Sequence, residues 1–260
     1  MTNSAEPKKG GSFRPETELT FGQKMPFAAK EAYKLLRTNL LFSLPETAEG
    51  KGHVIAVTGS LRGEGKSTTT VNLASTLAEQ GARVLIMECD LRLPSLHKKM
   101  KVKPKPGLSN VLVTRDDPMP YVQTVEVGRF NEELITFDVL TAGDIPPNPS
   151  ELLGSNRMRR RVEQLAGCYN FVLLDLPPVT AVTDALVATK IVDGVVMVVR
   201  NDHTDSGSLK EAMRQLKLVD AKILGFVYTC AGSGSGGYRG YRKYYKKYKY
   251  RYYNDYENKR

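Results

Sequence analysis

No stretch of the sequence approaches about 18 uninterrupted apolar residues, so none reads as a membrane-spanning helix. The first residues, MTNSAEPKKGGSFRPETEL, lack the apolar core of a secretory signal. The expectation is a cytoplasmic protein. Cysteine is scarce: Cys89, Cys168 and Cys230 are odd in number, with no CxxC or metal-like spacing. That argues against a disulfide framework or a structural zinc and leaves small buried thiols. His97 and His203 have no partner at motif spacing and receive no role. The last 23 residues, Tyr238–Arg260, contain no Leu, Ile, Val or Phe. They cannot build a core.

That apolar-free segment holds Tyr238, Tyr241, Tyr244, Tyr245, Tyr248, Tyr250, Tyr252, Tyr253 and Tyr256, nine of the chain's 13 tyrosines. Nine Lys/Arg against two acids give it +7 of the total +10. The rest of the chain is therefore nearly balanced, and basicity belongs to the tail. Five of these tyrosines fall at helical spacing, but the other four lie elsewhere, with Lys and Arg in the gaps. Gly232–Gly237 (GSGSGG) reads as a flexible linker with a span of about 13–15 Å.

The chain divides into a polar arm over 1–25, a globular domain over 26–231 and a linker with tail over 232–260. From Pro26, Ala28, Ala32, Leu35, Leu36 and Leu40 recur at helical spacing, with Glu31, Lys34 and Arg37 on a neighbouring stripe. Apolar strands are predicted at HVIAVTG, ARVLIMECD, TFDVLTAG, NFVLLDLPP, Gly194–Arg200 and AKILGFVYT. Amphipathic helices alternate with them: one after Gly65 stopped near Gly81, one from a cap at Asn148 or Ser150 to about Leu165, then Thr183–Ile191 and Asp205–Leu218. Lys98–Leu134 gives weak signals. The alternation predicts an α/β fold, a mostly parallel sheet with helices on both faces and functional loops at the strands' carboxyl ends.

One such loop is SLRGEGKST. It matches the phosphate-binding P-loop except that Ser60 replaces the first glycine, while Gly59 and Gly63 leave room for a tight turn. Backbone amides of Gly63, Glu64 and Gly65 face phosphate in such a loop, Lys66 neutralises β/γ oxygens, and the Ser67 hydroxyl ligates Mg²⁺. Thr68 is an accessory contact near the α-phosphate. Asp175 ends an apolar strand, as a Mg²⁺-holding carboxylate does. Glu88 and Asp90, two residues apart at another strand end with Arg92 beyond, project on one side. One can serve the metal and the other a proton.

Taken in order, EAYKLLRTNL, GEGKST, ECDLRLPSL, AGDIPPNPSELL, LLDLPP and the tyrosine tail resemble the bacterial tyrosine kinases (BY-kinases), relatives of the MinD/ParA-type P-loop ATPases. The resemblance covers about Lys30 to the C-terminus. It implies a P-loop NTPase-type fold and ATP-dependent, Mg²⁺-dependent autophosphorylation of the tail tyrosines in trans. It also implies a role in capsular or exopolysaccharide synthesis and export. Glu88 stands where the family has Asp, one methylene longer, and inherits the role of proton acceptor. Asp90, with Lys66 and Arg92, completes the catalytic set, and Ser67, Asp90 and Asp175 organise the metal. Glu31, Lys34 and Arg37 match the helix through which the family assembles ring-like homo-oligomers, with Lys34 in place of Arg. Further implied partners are a separate transmembrane activator, which brings the protein to the membrane, and a tyrosine phosphatase. No nucleic acid is expected. The competing reading is a positioning ATPase of the MinD/ParA type whose basic tail binds DNA or membrane. Those proteins carry an extra lysine early in the loop, where this chain has Leu61.

Overall fold

In β1 (His53–Gly59), period two sends alternate side chains to opposite faces. Val54 and Ala56 join one apolar core, Ile55 and Val57 the other. The strand must therefore be covered on both sides, as the uninterrupted apolar run predicts. The computed structural model describes residues 22, 25–48, 50–114, 117–130 and 133–231. Most of the expected arm over 1–25, the expected linker and all nine tail tyrosines lie outside these residues.

Before β1 comes α1 (Phe27–Ser43). After it run α2 (Lys66–Ala78), β2 (Val84–Glu88), α3 (Leu96–Met100), α4 (Leu108–Thr114), β3 (Gln123–Phe130), β4 (Glu133–Leu140), α5 (Pro149–Leu153) and α6 (Asn156–Ala166). The domain closes with β5 (Phe171–Asp175), α7 (Asp184–Ala188), β6 (Gly194–Arg200), α8 (Ser206–Leu218) and β7 (Ile223–Thr229). Seven strands form one sheet in the order β3-β4-β2-β5-β1-β6-β7. Every pair is parallel except β3–β4. Leu40, Leu73, Leu77 and Leu96 bring α1, α2 and α3 onto one face. Leu108, Met158, Val162, Ala185 and Leu216 bring α4, α6, α7 and α8 onto the other.

Three local expectations change. The weak region Lys98–Leu134 holds the end of α3, α4 and β3, the last an antiparallel edge strand with an irregularity between Glu126 and Gly128. The helix expected up to Leu165 is two helices. Ser155 breaks them apart and caps the second, its hydroxyl accepting from Met158 N at 3.2 Å, while Asn148 stands at the N-cap position of the first without a side-chain cap bond and Ser150 lies inside that helix. Of the three thiols only Cys89 is buried, with Cys168 half-buried and Cys230 exposed.

Candidate active site

The phosphate loop spans the gap between β1 and α2. Gly63 (φ +83°) and Gly65 (φ +96°) take left-handed conformations that a side chain would strain. The loop is held from outside by its carbonyls. Thr180 Oγ1 donates to Ser60 O at 2.6 Å, Arg200 Nη1 to Gly63 O at 2.7 Å and Thr229 Oγ1 to Glu64 O at 2.8 Å. His203 Nε2 lies 2.8 Å from Arg62 O, so this histidine does have a partner, one that only the fold supplies. Engaged carbonyls hold the alternating turns that gather the loop's amides into an anion cradle. Gly59 serves differently from the expectation. A Cβ there would lie 2.0 Å from Glu64 Oε2 and 2.8 Å from Val198 O, so its role is space rather than a turn. Glu64 is fully buried beneath the loop, its Oε1 accepting from Thr204 Oγ1 at 2.7 Å. Lys66 folds back over the loop and donates to Leu61 O at 2.9 Å. Burial lowers its pKa, against the pull of Asp175, Glu64 and Asp90.

Two central strands, β2 and β5, deliver the acids. Asp175 ends β5, paired in register with Val57 of β1 and Glu88 of β2. It is buried at 3% exposure, bonded by Ser67 and by Thr70 Oγ1 at 3.3 Å. Burial pushes its pKa up to about 6. The Ser67 hydrogen bond opposes this, Glu88 adds to it, and Lys99 and Lys66 pull it back. Sequence reasoning did not single out Thr70 or Lys99. Thr70 lies one helical turn beyond Lys66, whose carbonyl its hydroxyl also reaches at 3.0 Å.

The A′ segment, ECDLR, departs from expectation at two residues. Glu88, expected as the proton acceptor, is 1% exposed. Its Oε1 accepts from Ser95 N at 2.6 Å and Leu96 N at 2.7 Å, and its Oε2 from Ala142 N at 3.1 Å. The carboxylate is spent on these backbone donors and is closed to solvent. Arg92, expected among the catalytic groups, forks onto the buried Asp184: Nε to Oδ2 at 2.9 Å and Nη2 to Oδ1 at 3.0 Å, with Ser150 Oγ also bridging. That pairing raises the Arg92 pKa and fixes the segment to the start of α7. Asp90 is the half-buried acid of the three, with Oδ1 accepting from Leu93 N at 3.0 Å. Cys89 between them is inert: burial and three neighbouring acids push its thiol pKa well up.

Ser67, Asp175 and Asp90 are hard oxygen donors of the kind Mg²⁺ takes. Among the described residues no three His, Cys, Asp or Glu side chains converge on one point. Mg²⁺ needs no such cage, since it binds one or two protein oxygens and takes phosphates and water for the rest. The donor set fits.

On α1 the expected contact stripe splits. Lys34 Nζ pairs with Glu31 Oε1 at 2.8 Å, both half-exposed, but Arg37 is buried and donates to Thr76 O at 2.5 Å. Thr76 lies in the last turn of α2, where carbonyls lack helical partners and the dipole favours a cation. Arg37 therefore holds α1 to its own domain. Leu35, from the apolar stripe, faces outward instead, as do Phe27 and Phe42.

The sequence pattern of the CobQ/CobB/MinD/ParA nucleotide-binding domain matches residues 55–234. The chain is 35% identical over 197 residues to the tyrosine-protein kinase YwqD of Bacillus subtilis, which covers 76% of this chain and 79% of YwqD. The chain belongs to the bacterial tyrosine kinases of the MinD/ParA nucleotide-binding class. The kinase domain of the Escherichia coli tyrosine kinase Etk superposes with a TM-score of 0.71 at 29% identity, covering 89% of each chain. The chimeric protein CapA2B2 gives 0.69 at 34%, covering 79% of this chain and 85% of that one. Full-length Etk is much longer: 32% identity over 200 residues spans 77% of this chain but 26% of Etk. No helix among the described residues is long and apolar enough to cross a membrane.

Proposed function

We propose that this tyrosine kinase, with a catalytic domain over 26–231, uses Mg·ATP to phosphorylate the tyrosines of its own tail over 232–260, one copy serving as substrate for another. The observation that carries the reading is the meeting of Lys66, Ser67 and Asp175 at the carboxyl ends of β1 and β5, in a chain whose last 23 residues hold nine tyrosines. Amides of Gly63, Glu64 and Gly65 cradle the phosphates, with Thr68 near the α-phosphate. Lys66 leaves Leu61 O and neutralises the β/γ oxygens. Ser67 and Asp175 would hold Mg²⁺, which when bound would supply charge neutralisation at the transferring group.

The tyrosine Oη forms the new bond to the γ-phosphorus, the bond from phosphorus to the β–γ bridging oxygen breaks, and ADP leaves. A phenol of pKa near 10 needs an acceptor for its proton. With Glu88 committed to backbone donors, we assign that proton to Asp90, the open acid of the A′ segment. Arg92 then acts by fixing that segment through Asp184. Each added phosphate brings about −1.5 to −2 charge, so a fully modified tail turns from cationic to strongly anionic. Glu31, Lys34 and the exposed Leu35 and Phe42 are the groups offered to a ring-like homo-oligomer. The resemblance extends the proposal to a transmembrane activator, an opposing phosphatase and control of exopolysaccharide export.

The test is incubation of the full chain with Mg·ATP and mass spectrometry of the C-terminal peptide. Phosphate on Tyr238–Tyr256 is expected in the wild type and none in Lys66→Met alone. Mixing Lys66→Met with active chain should restore modification of the inactive copy, which establishes transfer in trans. ATP hydrolysis with unmodified tyrosines would instead indicate a positioning ATPase.

A further inference from the structure

β7 is the edge strand of the sheet, and α8 precedes it in the chain. A surface groove of about 610 Å³ lies between the two. Met213, Ala221 and Ile223 give it an apolar floor, each half-buried. Lys210, Arg214 and Lys217 stand over that floor, one turn apart along one face of α8, and all three are exposed. Arg214 is shared with Glu211, donating from Nε to Oε2 at 2.8 Å and from Nη2 to Oε1 at 2.7 Å. The ammonium groups of Lys210 and Lys217 have no hydrogen bond or ion pair among the described residues. Asp220 is the acid on the lining, so three cations against one anion leave the groove at +2. Cations in a row above an apolar floor suit a ligand that joins a phosphate to an aromatic ring.

The tail is rooted at the other end of the same strand. Ile223 begins β7 in the groove, and Thr229 ends it with its hydroxyl on Glu64 O of the phosphate loop. The strand is about 20 Å long. Tyr238 lies seven residues beyond 231, an extended reach of about 23 Å, and each later tyrosine has more slack. Unmodified, the tail carries +7 and the groove repels it. Each phosphate adds about −1.5 to −2, so about five reverse the sign.

We propose that the groove between α8 and β7 is a phosphotyrosine-binding site for the phosphorylated tail of this chain, with Lys210, Arg214 and Lys217 on the phosphate and Met213 and Ile223 under the ring. The inference rests on the reading of the tail as the kinase's substrate. Docking there draws a modified tail toward the amino end of β7, away from the phosphate loop, and clears the nucleotide site for the next tyrosine.

The experiment is fluorescence anisotropy of labelled synthetic peptides of Tyr238–Arg260, carrying phosphate on Tyr241, Tyr244, Tyr245, Tyr248 and Tyr250 or on none, titrated with the full Lys66→Met chain. That background keeps the chain's own tail unmodified, and thermal melts confirm the folding of each variant. The phosphorylated peptide should bind at least about tenfold more tightly than the unmodified one. Lys210→Ala combined with Lys217→Ala should weaken its binding by about tenfold. Lys98→Ala combined with Lys103→Ala, an equal loss of charge elsewhere, should change it by less than about twofold. A Lys210/Lys217 variant within about twofold of its parent, or an equal loss in the Lys98/Lys103 variant, overturns the proposal. Phosphatidylglycerol vesicles bound through Lys210 and Lys217 in place of the phosphopeptide would overturn it too, and would mark a membrane surface. The two readings fail separately, because the peptide arrives already phosphorylated. Binding that depends on Lys210 and Lys217, in a protein whose wild-type tail stays unmodified by Mg·ATP, removes the kinase reading and keeps the groove as a phosphotyrosine site. A self-phosphorylating wild type whose groove variant binds like its parent does the reverse.

Discussion

The carboxyl ends of β2 and β5 are neighbours in one sheet and carry an acid at paired positions, yet the two acids are treated oppositely. Glu88 meets three backbone N–H groups that point at it and at nothing else. Asp175 meets two hydroxyls, of Ser67 and Thr70, and a field in which burial outweighs its cations. Fixed amide dipoles satisfy a buried carboxylate permanently and make it part of the scaffold. A carboxylate left short of donors keeps a standing demand for a cation. The difference shows how two neighbouring strand ends can divide the work: one acid organises structure and its neighbour stays available for the proposed metal.

Four experiments sharpen or break this contrast. The largest effect belongs to Asp175→Ala. Loss of a metal-holding carboxylate should reduce tail phosphorylation by about 10²–10³-fold, measured by phosphopeptide mass spectrometry, with the fold intact. Glu88→Ala should act on stability instead. Three orphaned N–H groups and a cavity predict roughly 3 kcal/mol lost in urea unfolding. A Glu88→Ala protein as stable as wild type would remove the structural role given to these three bonds. The third experiment is pH dependence without nucleotide or metal. Asp175 has a folded pKa of about 6 against an ordinary 3.8. Between these values the folded state binds a proton that the unfolded state does not. Stability should therefore fall as pH rises from about 4 to 6, by roughly 3 kcal/mol from this group, and Asp175→Asn should flatten that window. A wild-type slope equal to that of Asp175→Asn would contradict the assignment. The smallest effect lies away from both acids. Ser155→Ala removes the cap of α6 and should cost about 1 kcal/mol without changing nucleotide affinity.

Much of the frame was legible in the sequence because it rests on local periodicity. Apolar runs gave the central strands, and Gly65-Lys66-Ser67 at a strand–helix junction gave the phosphate loop. The edge was not legible: β3, QTVEVGRF, alternates polar and apolar residues beside a proline-containing turn, and α3 and α4 are too short to show a period. Side-chain destinations were hidden for a different reason. Glu88 finds Ala142 across 54 positions, Arg92 finds Asp184 across 92 and Glu64 finds Thr204 across 140. Spacing cannot reveal such pairs. The same limit hid Arg37, whose inward turn depends on an unbonded carbonyl at the end of another helix.

The central claim is that Asp175 holds the metal while Glu88 holds α3. The most direct measurement is the Mg²⁺ dependence of ATP affinity by calorimetry in Glu88→Gln and Asp175→Asn. The account predicts that Glu88→Gln keeps a Mg²⁺ response within about threefold of wild type and melts at lower temperature, while Asp175→Asn loses the response by about tenfold or more and melts higher at neutral pH. Equal loss of the Mg²⁺ response in both variants would contradict it.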